Sequence, residues 1–253
     1  MKLSGVLLVH NDERYLPYSL GSLLAAPLDE LVIVLDRCAD KSEKIVRTFK
    51  PKYSAKILIK DWNEWKNPIA ETANFGFSQA NGDIVYALQA DVYHDILMFD
   101  KDFYECFDMV NYRVESWDLD TPLIKTTYEK MLDTAYRMIR TETDVWESGV
   151  FGTKKSVWEK FKFKDSVSCY GEHTQFMDYK TEIEKAGYSY YYNLGTRNLH
   201  LKEKIFTKSA QLGQGKGRAI LGYPYYRVML HSFLHMKPHV FVGYVKEKRR
   251  KNT

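Results

Sequence analysis

The sequence predicts an α/β fold whose central sheet is mostly parallel and flanked by helices. Three observations predict it. Four apolar runs of strand length occur within the first ninety residues, amphipathic helical patterns separate them, and polar side chains gather just after the runs. Alternation of this kind builds a doubly wound sheet, and such sheets bind ligands at the C-terminal ends of their strands.

The elements can be justified in order. Val6 to Val9 is a short apolar run suited to a strand buried on both faces, and Leu31 to Leu35 is a second. Between them Leu16, Leu20, Leu23 and Leu24 fall on one face of a helix, with Pro17 tolerated in its first turn. Asp40 followed by Glu43 reads as an N-cap with a capping-box partner, opening a helix that carries Ile45, Val46 and Phe49. Lys56 to Ile59 is a third strand. Asn67-Pro68 starts a helix with Ile69, Ala73, Phe77 and Ala80 on one side, closed by Asn81-Gly82. Ile84 to Leu88 is a fourth strand and runs into Gln89-Ala90-Asp91. His10, Asn11 and Glu13 therefore follow the first strand, Asp36 the second and Asp91 the fourth.

The second half is less regular. Tyr128 to Arg140 is expected as a helix, Trp146 to Gly152 as a glycine-punctuated loop or strand, Glu172 to Ala186 as a helix ended by Gly187, and Tyr188 to Tyr192 as a strand. Gln211 to Arg218, threaded with glycines, reads either as a source of cations for a diphosphate or as a loop entering a helix. The reading divides the chain into a catalytic domain over 1–204 and a helical, aromatic-rich extension with a basic tail over 205–253.

Composition narrows the function. The net charge is +4, and the last eight residues hold five cations and one acid, so the rest of the chain is neutral overall. A nucleic-acid-binding face on the main body is not expected. Cys38, Cys106 and Cys169 are widely spaced, which suggests neither a disulfide framework nor a zinc site. With an apolar N-terminal run too short for a signal peptide, the expected location is cytoplasmic. Tyr223 to Tyr244 mixes aromatics with Arg227 and Lys237 and has no span-length apolar run. Peripheral contact with the inner face of a membrane and simple helical packing on the domain both stay open there.

Val9-His10-Asn11-Asp12-Glu13 with Leu16, the acidic turn Val34-Leu35-Asp36-Arg37-Cys38-Ala39-Asp40, and Asn74-x-Gly76-x-x-x-Ala80-x-Gly82-Asp83 leading to Gln89-Ala90-Asp91 form an ordered set. Trp146, Gly149, Gly152, Gly171-Glu172, Gly187-Tyr188 and Leu199-His200 continue it. This set resembles the family-2 glycosyltransferases, which have the Rossmann-like GT-A fold, over roughly residues 3–200. The resemblance implies transfer of a sugar, of the hexosyl type, from a nucleoside-diphosphate sugar to a hydroxyl of a glycan, a lipid-linked acceptor or a protein, with inversion. It implies that Asp36 contacts the base or ribose, that Asp91 ligates Mg²⁺ or Mn²⁺ at the donor diphosphate, and that His200 is a second metal ligand. His10, Asn11, Glu13 and Asn74 complete the nucleotide-sugar site on this reading, with helix capping by Asn11 as an alternative.

The pattern has departures. Gln89 replaces the first carboxylate of the metal motif and Ala73 an arginine common before Asn74. Glu172-His173 stands where the family has Glu-Asp, so either residue can serve as general base, and Glu172 also suits the first turn of a helix. These changes motivate a rival reading, a catalytically silent module that binds a nucleotide sugar or glycan. A nucleotidyltransferase is disfavoured because no glycine-rich cationic loop follows the first strand.

Overall fold

A computed structural model of the protein describes residues 1–116, 131, 149–165, 174–202, 208–220, 222–234 and 237–251. The first half alternates as expected: β1 (Leu3–Val9), α1 (Leu16–Leu23), β2 (Glu30–Asp36), α2 (Ser42–Thr48), β3 (Ser54–Lys60), α3 (Pro68–Gln79) and β4 (Ile84–Gln89). The short β5 (Val92–Tyr93), α4 (Phe103–Cys106) and β6 (Met109–Ser116) follow. Then come β7 (Phe151–Lys154), α5 (Lys155–Phe161), α6 (Thr174–Lys185), β8 (Tyr190–His200), α7 (Lys208–Ile220), α8 (Tyr225–Leu234) and α9 (Pro238–Lys251).

The eight strands form one sheet of order β3-β2-β1-β4-β7-β6-β8-β5. Its first four strands are parallel. β7 runs antiparallel to both β4 and β6, β8 parallel to β6, and β5 antiparallel to β8, so the sheet is mixed beyond β4. The strand expected from Tyr188 to Tyr192 is the opening of β8, which continues to His200. The helix expected from Tyr128 to Arg140 lies outside the described residues apart from Met131.

Two hydrophobic layers enclose the sheet. Leu7, Leu16, Leu20, Leu31, Ile33 and Tyr86 belong to one, and Val6, Val34, Ala73, Phe77, Phe151 and Trp158 to the other. The alternation of Val6 and Leu7 between them is the period-two rule of a strand covered on both faces. Gly76 lets α3 lie directly on β1 and β2, because a Cβ there would collide with Cγ1 of Val6 and stand 2.9 Å from Cγ2 of Val34. Gly76→Val is expected to destabilise the protein by about 3 kcal/mol through overpacking. Urea unfolding measures this, and a loss below about 1 kcal/mol would count against close helix–sheet contact at this point.

Two local expectations are corrected. Asp40 is not the N-cap of α2, a position Lys41 holds without a side-chain cap; its Oδ1 accepts from Ser42 N at 2.9 Å one residue earlier, and Glu43 closes no capping box. It pairs with Arg47 one turn ahead instead. The glycine-rich segment from Gln211 to Arg218 belongs to α7 rather than to a loop. Glycine is a poor helix former alone, and here close approach explains it. A Cβ on Gly215 would meet the backbone of Val240 and Tyr244, and one on Gly243 the backbone of Leu212, so α7 and α9 cross at their glycines. Ala219, Val228, Val240 and Tyr244 close a small core among α7, α8 and α9.

Candidate functional site

The parallel strands deliver their C-terminal ends to one edge, and there the polar residues form a continuous chain of contacts. β1 ends at His10. Its backbone N–H donates to Asp12 Oδ2 at 3.1 Å, and its Nδ1–H donates to the carbonyl of Asp36 at 2.6 Å, tying the ends of β1 and β2 together. Asn11 adopts φ 55°, a left-handed conformation that asparagine tolerates, and its Oδ1 accepts from Ala39 N at 2.7 Å. It therefore ties two loops rather than capping α1. Glu13 does the same: its carboxylate accepts from Lys41 N at 2.9 Å while its own N–H donates to Asp40.

Asp36 is buried and richly partnered. Arg37 grips both its oxygens, at 2.8 and 2.9 Å, Thr72 donates at 3.0 Å, and the fully buried Lys60 lies 3.5 Å away. Burial pushes its carboxyl up, but the hydrogen bonds from Arg37 and Thr72 and the charges of Lys60 and Arg37 outweigh that and hold it below the usual carboxylate range. Lys60 also pairs with Glu71 at 2.8 Å and donates to the carbonyl of Trp62. Arg37 has φ 47°, so backbone strain is stored where β2 turns.

The second half of the edge comes from β4 and β8. Antiparallel pairing sets Val92 opposite His200, and Leu201 N donates to the backbone carbonyl of Asp91 at 2.8 Å. His200 Nε2 then stands 3.4 Å from Asp91 Oδ2. Its Nδ1 lies 3.1 Å from the carbonyl of Lys202, which only accepts, so Nδ1 is a donor there while Nε2 faces Asp91. Behind this turn, Ser19 and His94 both donate to the carbonyl of Gln89. Burial pushes the His94 imidazole down to about 4, only partly opposed by the Gln89 carbonyl, so the ring is a neutral donor near pH 7. Lys202 closes the circuit by reaching Asp12 Oδ1 at 3.1 Å.

A divalent cation fits this donor set. Two ligands about 2.1 Å from one octahedral ion lie about 3 Å apart, close to the observed separation of Nε2 and Oδ2. A ring nitrogen fixed as donor by a carbonyl is also the arrangement metal-binding histidines use. Among the described residues no cluster of three or more His, Cys, Asp or Glu side chains forms.

Not every expected residue joins the edge. Asn74 spends its amide on framework contacts, donating to the carbonyl of Phe163 and accepting from Phe163 N and Trp158 Nε1. It fastens α3 to α5 and the segment after it. Glu172 and His173 lie outside the described residues. Asp12, Arg37, Lys60, Glu71 and Lys202 were not singled out from the sequence. Lys60 ends β3 in register with Asp36, a pairing set by the sheet, and the contact of Lys202 with Asp12 spans 190 residues.

Residues 4–107 match the family model described as Glycosyl transferase family 2. No curated protein matches the chain. Among solved structures, S. aureus TarS is 14% identical with a TM-score of 0.55, covering 87% of this chain and 39% of TarS. The present chain thus spans well under half the length of that protein. The mannosyltransferase PcManGT from Pyrobaculum calidifontis, solved with GDP-Man and Mn²⁺, is 12% identical with a TM-score of 0.63, covering 96% of this chain and 69% of its own. Glucosyl-3-phosphoglycerate synthase from Mycobacterium tuberculosis, solved with Mn²⁺, UDP and glucosyl-3-phosphoglycerate, is 15% identical with a TM-score of 0.58, covering 88% and 81%. Likenesses at this identity establish architecture, an α/β fold of the GT-A kind, and residues 4–107 are similar to Glycosyl transferase family 2.

Proposed function

We propose that the protein transfers a sugar from a nucleoside-diphosphate sugar to an acceptor hydroxyl of a glycan, a lipid-linked acceptor or a protein, with inversion and with the help of Mn²⁺ or Mg²⁺. The observation that carries the reading is the meeting of Asp91 and His200 at the edge where the parallel strands end. That Mn²⁺ accompanies a donor sugar or its nucleotide in PcManGT and in the glucosyl-3-phosphoglycerate synthase supports it.

In this reading Asp91 and His200 would hold the cation, whose charge would offset that of the leaving diphosphate. Lys202, beside Asp12, offers a further positive charge on the same edge. Asp36 reads the base or ribose while Arg37 keeps its carboxylate ionised and aimed. His10 and Asn11 shape the loop against the nucleotide, and Glu13 holds that loop against α2. Glu172 or His173 takes the proton from the acceptor hydroxyl as that oxygen attacks the anomeric carbon and the nucleoside diphosphate leaves.

A panel of UDP- and GDP-sugars with and without Mn²⁺, read by nucleotide release, tests the proposal. Metal-dependent release from at least one donor is expected, whereas donor binding with no turnover on any acceptor would favour a recognition module. In the same assay His173→Ala is expected to lose transfer and keep donor affinity, because a base acts on the acceptor. The wild-type rate then rises with pH through about 6–7, as an imidazole loses its proton. A dead Glu172→Gln beside an active His173→Ala reverses the two roles.

A further inference from the structure

The helix α8 is turned inside out relative to a helix of a water-soluble surface. Its inward face carries Val228 and Ser232, both buried, and the edge of Tyr225, whose ring packs on Phe241 and Tyr244 at 5.0 and 6.3 Å. Its outward face carries Tyr226, Met229, Leu230 and Phe233, with Tyr226 68% and Phe233 79% exposed. At helical spacing these four fall within an arc of about 100° opposite the buried residues, the width of stripe that ordinarily faces a core. Arg227 and His231 sit to one side of it, engaged with the Tyr223 ring and with Arg218.

Tyr225 packs on Phe241 and Tyr244, which seats the start of α8 on α9 ahead of its last turns. Those turns expose Lys246, Arg249 and Arg250. Their acid, Glu247, is buried and already paired with Arg250 at 2.8 Å. The α7–α9 bundle therefore exposes an apolar stripe on α8 and a cationic cluster in the last turns of α9. No helix among the described residues is long and apolar enough to cross a membrane.

We infer that the outward face of α8, together with the cationic end of α9, docks on the surface of a bilayer containing anionic lipid. The acyl–headgroup boundary receives the four apolar side chains, with the two tyrosine and phenylalanine rings at the level where aromatics settle, and the headgroups neutralise the α9 cations. A second copy of the chain satisfies only half of this chemistry, because among the described residues of α8 and α9 the acid is Glu247, which is buried and paired. This surface is distinct from the Asp91–His200 edge, and its occupancy is independent of the activity proposed for that edge.

Vesicle flotation of the full chain tests the inference. At low salt the protein is expected to float with vesicles containing about one-third phosphatidylserine and at least about tenfold less with pure phosphatidylcholine. Tyr226→Ser/Phe233→Ser should remove at least about nine-tenths of the bound protein. Lys246→Gln/Arg249→Gln should weaken binding about 25-fold, at about fivefold per cation. Because all four side chains point outward, circular dichroism and the thermal midpoint should match wild type. Failure to float with the anionic vesicles, or flotation of both double variants equal to wild type, overturns the inference. So does a wild-type dimer in sedimentation velocity that Tyr226→Ser/Phe233→Ser dissociates while no form floats, since the face would then belong to a second copy.

Discussion

Asp91→Asn is expected to lower metal-dependent donor turnover by more than about a hundredfold, beyond the range seen when outer-shell partners of a metal are removed. The substitution keeps the shape of the side chain and removes the charge that a hard cation needs. Its structural consequence should be slight. The turn is held through the backbone carbonyl of Asp91, which accepts from Leu201 N, and through the carbonyl of Gln89, which accepts from Ser19 and His94. None of these bonds uses the Asp91 carboxylate, so stability without metal should stay within about 1 kcal/mol of wild type. The check is thermal shift with UDP or GDP and Mn²⁺. Wild type should be stabilised only when both are present, and Asp91→Asn by neither. His200→Ala should weaken the same effect less, since the carboxylate remains. An unchanged metal-dependent shift in Asp91→Asn would remove Asp91 from the site and leave the 3.4 Å contact as an ordinary His–Asp pair.

Lys60→Met should cost about 3–5 kcal/mol of stability, the loss typical of breaking a buried ion pair from one side. Lys60 is completely buried, and its ammonium serves Glu71 at 2.8 Å, Asp36 at 3.5 Å and the carbonyl of Trp62. Methionine fills much the same volume and leaves Glu71, itself buried, without that cation. Removing both charges as Lys60→Met/Glu71→Leu should be milder than Lys60→Met alone, a coupling that only a shared buried interaction produces. The acid limb carries a second signature. A carboxyl held below its unfolded value near 4, as Asp36 is, contributes stability above that pH and loses it as the pH falls through the folded value. Lys60 is one of the charges holding it there, so the acid unfolding midpoint of Lys60→Met should move to higher pH. Urea unfolding at a series of pH values measures both effects. A loss under about 1 kcal/mol with an unmoved acid midpoint would mean that Lys60 is not part of a buried charge network.

These two experiments address residues of opposite legibility. Asp91 could be picked out beforehand because a polar residue that ends a fully apolar run in a βαβ pattern is delivered to the binding edge by chain direction alone. Lys60 could not be weighted in the same way. It also ends its strand, but its burial depends on α3 presenting Glu71 and Thr72 against the ends of β2 and β3, which no local pattern announces.

The same division runs through the whole molecule. The sequence by itself determined β1 to β4 and the helices between them, because each is written in a local period of burial, two for strands and 3.6 for helices. It also determined that His10, Asn11, Asp36 and Asp91 lie at strand ends on one side of the sheet. Only the tertiary structure decided which of them meet. The pairing of β5 with β8 brings Asp91 to His200 across more than a hundred residues, and Lys202 reaches Asp12 over 190. It likewise turned the glycine-rich segment before Arg218 into a helix, since a helix poor in intrinsic propensity is stabilised when another backbone packs against its glycines. Asn74 fastens α3 because Trp158 and Phe163 arrive beside it from far along the chain. Periodicity is a property of neighbours along the chain, whereas a site is a property of neighbours across it, set by strand order and register that long-range packing alone selects.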